Sequence, residues 1–186
     1  MAKFNSIQTY FLKRDFEKKH GKQIRKRRFF NLETAKTFGV VFDASQEADY
    51  NRVSSFIRHL QANNKRVKAL GYVSYKDLPH YVMQTISYDF ILKKDLSATL
   101  KPNTVHAQDF IKSEFDVLVD FNMDNNPVLR YISGLSMAKF KIGLFDKSNE
   151  KIFDFMLQGI DKGNMAGYAK EVLHYLEILQ PDTKQI

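Results

Sequence analysis

The sequence predicts an α/β protein: a Rossmann-like three-layer domain with a mostly parallel mixed sheet, preceded by a basic N-terminal helical arm. Three observations carry this reading. From residue 37 onward, short β-rich apolar runs alternate with segments of helical periodicity, the pattern of βαβ units. The chain has 186 residues and is 44% hydrophobic, with 16 Phe and 9 Tyr, enough apolar surface for one core without crosslinks. The net charge of +8 is confined to residues 1–30, where ten Lys or Arg face Asp15 and Glu17, while the remainder holds 19 side chains of each sign. The expected division is therefore an arm over 1–30 and a single α/β domain over 31–186.

In the arm, Phe4, Ile7 and Phe11 recur at helical spacing, with Tyr10 and Leu12 beside them, and predict a helix over roughly 3–19 that ends near Gly21. Phe29 and Phe30 are the expected anchors on the body. TFGVVFD (37–43) is a compact apolar strand. After it, Ser45 is placed to cap a helix, Glu47 and Asp49 suit its positive end, and Val53, Phe56, Ile57 and Leu60 form its buried stripe. Asn63 and Asn64 end that helix. RVKALGYVS (66–74) reads as the second strand, DLPHYVMQTI as a short helix, and DFILKK (89–94) as the third strand.

HAQDFIKSE gives a further helix, leading into the strongest strand pattern of the chain, FDVLVDF (115–121). Asn126 followed by Pro127 has the form of an N-cap with proline at the first helical position, and Leu129, Ile132 and Leu135 supply an apolar face. FKIGLFD (140–146) is the next strand. The turn residues KSNEK predict a hairpin to KIFDFMLQ, which would lie antiparallel at the sheet edge. Asn164 opens a last helix that runs through Tyr168, Val172 and Leu176 and stops before Pro181.

The absence of cysteine removes disulfides, thiolate metal sites and thiol nucleophiles, and fits a reducing compartment. No apolar run approaches the roughly 18 residues of a membrane span, and the first residues lack a signal-peptide core, so the expected location is cytoplasmic. The densest charge is Lys18, Lys19, Lys22, Arg25, Lys26, Arg27 and Arg28, whose mutual repulsion favours solvent or an anionic partner over a packed core. The partners such an arm suits are RNA, an anionic membrane surface or an acidic protein.

In open α/β sheets ligands bind where strands end, near a reversal of strand order. Asp43 and the run DFNMDNN, with Asp120, Asn122 and Asp124, lie at predicted carboxyl ends and form the candidate ligand site. Carboxylates there would orient a hydroxyl or hold a cation, and the same residue types also serve as helix caps and turns. DASQEAD after the first strand has no glycine to admit a pyrophosphate, and no P-loop pattern occurs. His20, His59, His80, His106 and His174 are scattered and show no zinc-site spacing. YISGLSMA lacks the nucleophile elbow, and its Gly134 between Ser133 and Ser136 reads as close helix packing. No catalytic residue, metal or cofactor is expected on these grounds.

The segment FDVLVDFNMDNNPVLRYISGLSMAKFKIGLF (115–145) resembles a family of single-domain bacterial proteins of unknown function, typical of the Bacteroidetes, in which a strand ending in Asp precedes a polar turn and a helix with Ser-x-Ala. The same segment is similar to heptosyltransferase-like glycosyltransferases, which implies a related fold and no assigned activity. The first functional expectation is a non-catalytic binding module that presents its basic arm to an acidic partner. The alternative is a small enzyme or sugar- or nucleotide-ligand-binding domain acting at the carboxyl ends of the strands.

Overall fold

The computed structural model describes residues 4–83, 85–161 and 163–180. Six strands form one sheet in the order β3-β2-β1-β4-β5-β6: β1 (Thr37–Asp43), β2 (Arg66–Val73), β3 (Tyr88–Leu92), β4 (Val117–Phe121), β5 (Phe140–Leu144) and β6 (Phe155–Leu157). Every pairing is parallel. The helices are α1 (Ser6–His20), α2 (Glu47–Ala62), α3 (Val105–Lys112), α4 (Pro127–Leu135) and α5 (Met165–Ile178). The protein is thus a three-layer α/β fold of Rossmann type. Helices α2 and α5 close one face over Val40, Phe42, Val119 and Phe121, and α1, α3 and α4 close the other over Val41, Leu70 and Leu118. Covering on both faces explains why β1 and β4 read as continuous apolar runs rather than alternating ones.

Local chemistry sets most boundaries. Asn5, Thr104, Asn126 and Asn164 each accept a backbone N–H in the first turn of their helices, and Pro127 stands at the first helical position of α4. Helix α2 ends at Asn63, and Asn64 takes a left-handed conformation with φ 58° that an asparagine tolerates.

The structure corrects several expectations. KIFDFMLQ contributes a strand only at Phe155–Leu157, and this strand is parallel to β5, not antiparallel. The connection recrosses the sheet edge because Phe153 lies against Gly143, where a β-carbon would overlap its ring, and Asp154 then opens the pairing by donating its N–H to Lys141 O at 2.9 Å. DLPHYVMQTI forms no helix among its described residues, since tertiary bonds take its polar groups: Tyr81 OH donates to Ala44 O at 3.1 Å, and Met83 N–H donates to Tyr50 OH at 3.0 Å. Ser45 does not cap α2. Its Oγ accepts Ser74 N–H at 2.9 Å and ties the end of β1 to that of β2.

The largest correction concerns the arm. Helix α1 rests on α4 with Leu12 buried, and Phe16 fills the notch at Gly134, where a β-carbon would overlap its ring, so the glycine is a close-packing residue. Lys19 donates to Tyr131 OH at 2.8 Å, and Tyr131 OH donates to Asp15 at 2.7 Å. Residues 22–28 continue as an extended strap along the amino end of β5. Arg25, expected in solvent, is buried there: its guanidinium makes two bonds of 2.7 and 2.6 Å to Asp154 and donates to Ala138 O and Lys139 O. Its side chain is 7% exposed and that of Asp154 is 8%. Phe30 is buried as an anchor, and Phe29, half exposed, leans on Phe140 at 5.1 Å.

Removing Arg25 leaves the Asp154 carboxylate buried with only the exposed Arg27 as a counter-charge, its Nε 3.6 Å away. Arg25→Ala is therefore expected to destabilise the protein by about 3–5 kcal/mol, whereas Lys26→Ala, exposed beside it, should stay within about 0.5 kcal/mol. Urea denaturation of the two variants beside the parent checks this, and equal effects would show that the strap is not held through Arg25.

Candidate crevice at the carboxyl ends of the strands

Strand order reverses between β1 and β4, the two central neighbours reached by chains running outward in opposite directions. A crevice opens at the carboxyl ends of the strands beside this point. It encloses about 730 Å³, within the usual range for small-molecule sites. Asp43 closes β1 into it, Tyr72 and Ser74 come from the end of β2, and Lys93, Leu96 and Leu100 come from the segment after β3. Gln46 and Asp49 bring the start of α2, and Asp124 brings the turn after β4. The remaining wall is the start of α1, with Phe4, Asn5 and Gln8. Gln8 fastens this wall by donating to Ala98 O at 3.0 Å, and Lys101 reaches Asp15 at 3.5 Å.

The polar groups differ in how far they are already engaged. One Asp43 oxygen accepts Ser45 N–H at 2.9 Å, and the other accepts the Asn126 side-chain amide at 3.2 Å, which bridges the two halves of the sheet. Asp124 is exposed at the mouth. Asp49 pairs with Arg52 at 2.9 Å. The Tyr72 phenol is pushed up to about 12, first by burial and then by the Asp43 charge, so it remains a neutral donor at physiological pH. Phe4, Leu96 and Leu100 give an apolar side.

Of the residues singled out in the sequence, Asp43 and Asp124 meet in this crevice. Asp120 and Asn122 do not line it. Asp120 is 4% exposed, and one of its oxygens accepts Asn122 N–H at 2.7 Å. Asn122 is spent on the approach to α4: its side chain donates to Asn126 O at 2.9 Å and accepts Asn126 N–H at 2.7 Å. Tyr72, Lys93 and the three α1 residues were not legible as site residues. Tyr72 had a usable signal, as it sits two positions before Ser74 on the same strand end. Phe4, Asn5 and Gln8 had none, because only the docking of α1 brings them there.

The seven clustered basic residues lie at the opposite, amino end of the sheet. Lys18, Lys22, Lys26, Arg27 and Arg28 are exposed, Lys19 is half occupied by Asp15 and Tyr131, and Arg25 is withdrawn into its pair with Asp154.

A model of a family of unknown function (DUF6913) matches residues 8–179. The chain belongs to this family. No curated protein matches it. The matched span runs from within α1 to the end of α5, so Gln8 of the crevice wall and the basic strap fall inside the family unit, and Phe4 and Asn5 precede it. Among the described residues no three His, Asp or Glu side chains converge as a metal site, and no helix is long and apolar enough to cross a membrane.

Beneath α4 lies a polar pair that the crevice does not use. Lys141, 1% exposed, donates from Nζ to Gly134 O at 2.9 Å, a cation placed at the negative end of α4. Burial, reinforced by the nearby Arg25 charge, brings the Lys141 ammonium down to about 7 from 10.5. Burial pushes the Asp120 carboxyl up to about 6 from 3.8. The unfolded chain therefore binds the lysine proton more readily above pH 7, and stability should rise with pH from about 7 towards 10. The folded chain holds the aspartate proton more readily, and stability should fall as pH rises from about 4 to 6. Each slope has an upper limit of about 1.4 kcal/mol per pH unit. In urea titrations at stepped pH, Lys141→Met should abolish the upper rise and Asp120→Asn the lower fall. An unchanged profile in either variant would show that the group is not titrating inside the fold.

Proposed function

We propose that this protein binds a small, hydroxyl-rich, uncharged or cationic molecule in the crevice at the carboxyl ends of β1, β2 and β4. The observation that carries the reading is the coincidence of a ligand-sized cavity of about 730 Å³ with the reversal of strand order, where parallel α/β sheets bind their ligands. The lining sets the chemistry. Among the described residues of the lining Asp43, Asp49 and Asp124 outnumber the cation Lys93, and the start of α2 carries Glu47 and Asp49 on its positive end. A phosphate would meet these carboxylates without a glycine turn to bring backbone amides to it. Hydroxyl groups suit them, with Phe4 and Leu96 beside an apolar ring face. A nucleoside or a free sugar has this composition.

The reading favours binding over catalysis. Ser45 Oγ, the buried serine hydroxyl of the lining, accepts Ser74 N–H, and no histidine lines the crevice among the described residues.

Titration calorimetry of the full chain with a panel of nucleosides, monosaccharides and the corresponding monophosphates tests the proposal. At least one unphosphorylated compound should bind, and its monophosphate should bind more weakly. Asp124→Asn should weaken binding by about tenfold or more, the loss of one charge-assisted hydrogen bond, with the melting temperature unchanged. Asp120→Asn should leave affinity intact. Tighter binding of the monophosphates, or no binding across the panel at millimolar concentration, would refute this use of the crevice.

A further inference from the structure

We infer that the outward side of α1 together with the strap forms a docking surface for an anionic lipid bilayer. The docking of α1 turns Leu12 and Phe16 inward and leaves the opposite side to solvent, with Ile7 66%, Tyr10 61% and Phe11 46% exposed. Arg14 and Lys18 continue the line of Ile7 and Phe11 at successive helical turns. The strap then alternates as an extended chain. Gln23 and Arg25 point inward to the carbonyls of Leu135 and Ala138, so Lys22, Ile24 and Lys26 point outward, Ile24 being 89% exposed. The strap follows α1 directly in the chain, α1 lying on α4 and the strap on the turn after it.

Charge selects the partner. From Lys18 to Phe30 the chain has no acidic residue, and on the outward side of α1 Glu17 is answered by Lys13 at 3.9 Å. Lys13, Arg14, Lys18, Lys22, Lys26, Arg27 and Arg28 are all exposed. A nucleic acid would use these cations and aromatic faces on which bases stack. Ile7 and Ile24 have no such face, and Tyr10 and Phe11 pack edge-on against each other at 5.6 Å. A bilayer uses the whole set: isoleucine and phenylalanine enter the headgroup boundary while lysine and arginine meet anionic lipid. Aliphatic side chains set among cations are the mark of an interfacial segment. This surface is separate from the crevice and its ligand.

Co-sedimentation of the full chain with vesicles decides the matter. At low salt the protein should pellet with vesicles of two parts phosphatidylcholine to one part phosphatidylglycerol and stay in solution with phosphatidylcholine alone. Lys22→Glu with Lys26→Glu should weaken binding by about fivefold or more for each charge removed. The charge-neutral set Ile7→Ser, Phe11→Ser and Ile24→Ser should weaken it by at least about tenfold. Both variants should melt like the parent, because these side chains are exposed; a variant that melts lower is replaced by Ile24→Ser alone, which should still weaken vesicle binding. Failure to pellet with the anionic vesicles overturns the proposal. So does undiminished binding by the serine variants, and a single-stranded or duplex oligonucleotide bound equally by parent and serine variants would mark the surface as a plain polyanion site instead.

Discussion

The architecture depends on one buried ion pair, Arg25 with Asp154. Its two short bonds place a guanidinium and a carboxylate together with both side chains almost wholly removed from water. Asp154 also accepts Lys141 N–H at 2.9 Å and donates its own N–H back to Lys141 O, so the same residue begins the parallel pairing of β6 with β5. A carboxylate with this many donors is a junction between the strap and the sheet edge. Because residue 25 is pinned inward, its neighbours at 24 and 26 must turn outward, and α1 is brought onto α4 just before it. The outward turn of the strap cations follows from this attachment, and α1 adds its own through Leu12, Phe16 and Gln8.

The charge is sorted between the two ends of the sheet. In parallel α/β folds the helices run against the strands, so their positive ends gather at the strand carboxyl ends and their negative ends at the amino ends. Asp43, Asp49 and Asp124 collect around the crevice, beside the starts of α2 and α4. The strap cations, with Lys18, Lys19 and His20 in the last turn of α1, collect at the other end. The distribution lowers the electrostatic energy of the fold and leaves two surfaces of opposite character on one small domain.

Between them, α4 carries most of the connections. Asn126 caps it at the crevice and donates to Asp43, Gly134 admits Phe16 of α1, and its terminal carbonyls receive Lys141 and Gln23. A buried lysine is costly in isolation. Here it is placed where a helix end leaves a carbonyl without an intrahelical partner, and the Asp154 and Asp120 charges favour its protonated form.

The sequence by itself determined the element types over most of the chain and the parallel α/β class, because these rest on periodicity, caps and apolar runs that act over a few residues. Asn126 with Pro127, the stop at Asn63 and Asn64, and the packing role of Gly134 were all readable in this way. It also placed Asp43 and Asp124 at strand ends. Only the tertiary structure decided the direction of β6, the course of residues 75–83, the burial of Arg25 and the α1 wall of the crevice. Each of these turns on a partner distant in the chain: Phe153 on the edge of β5, Tyr81 on Ala44, Arg25 on Asp154, Gln8 on Ala98. Local sequence records how a residue biases its own backbone. A basic residue in a basic run looks solvated until the carboxylate that buries it, 129 positions away, has been folded into place.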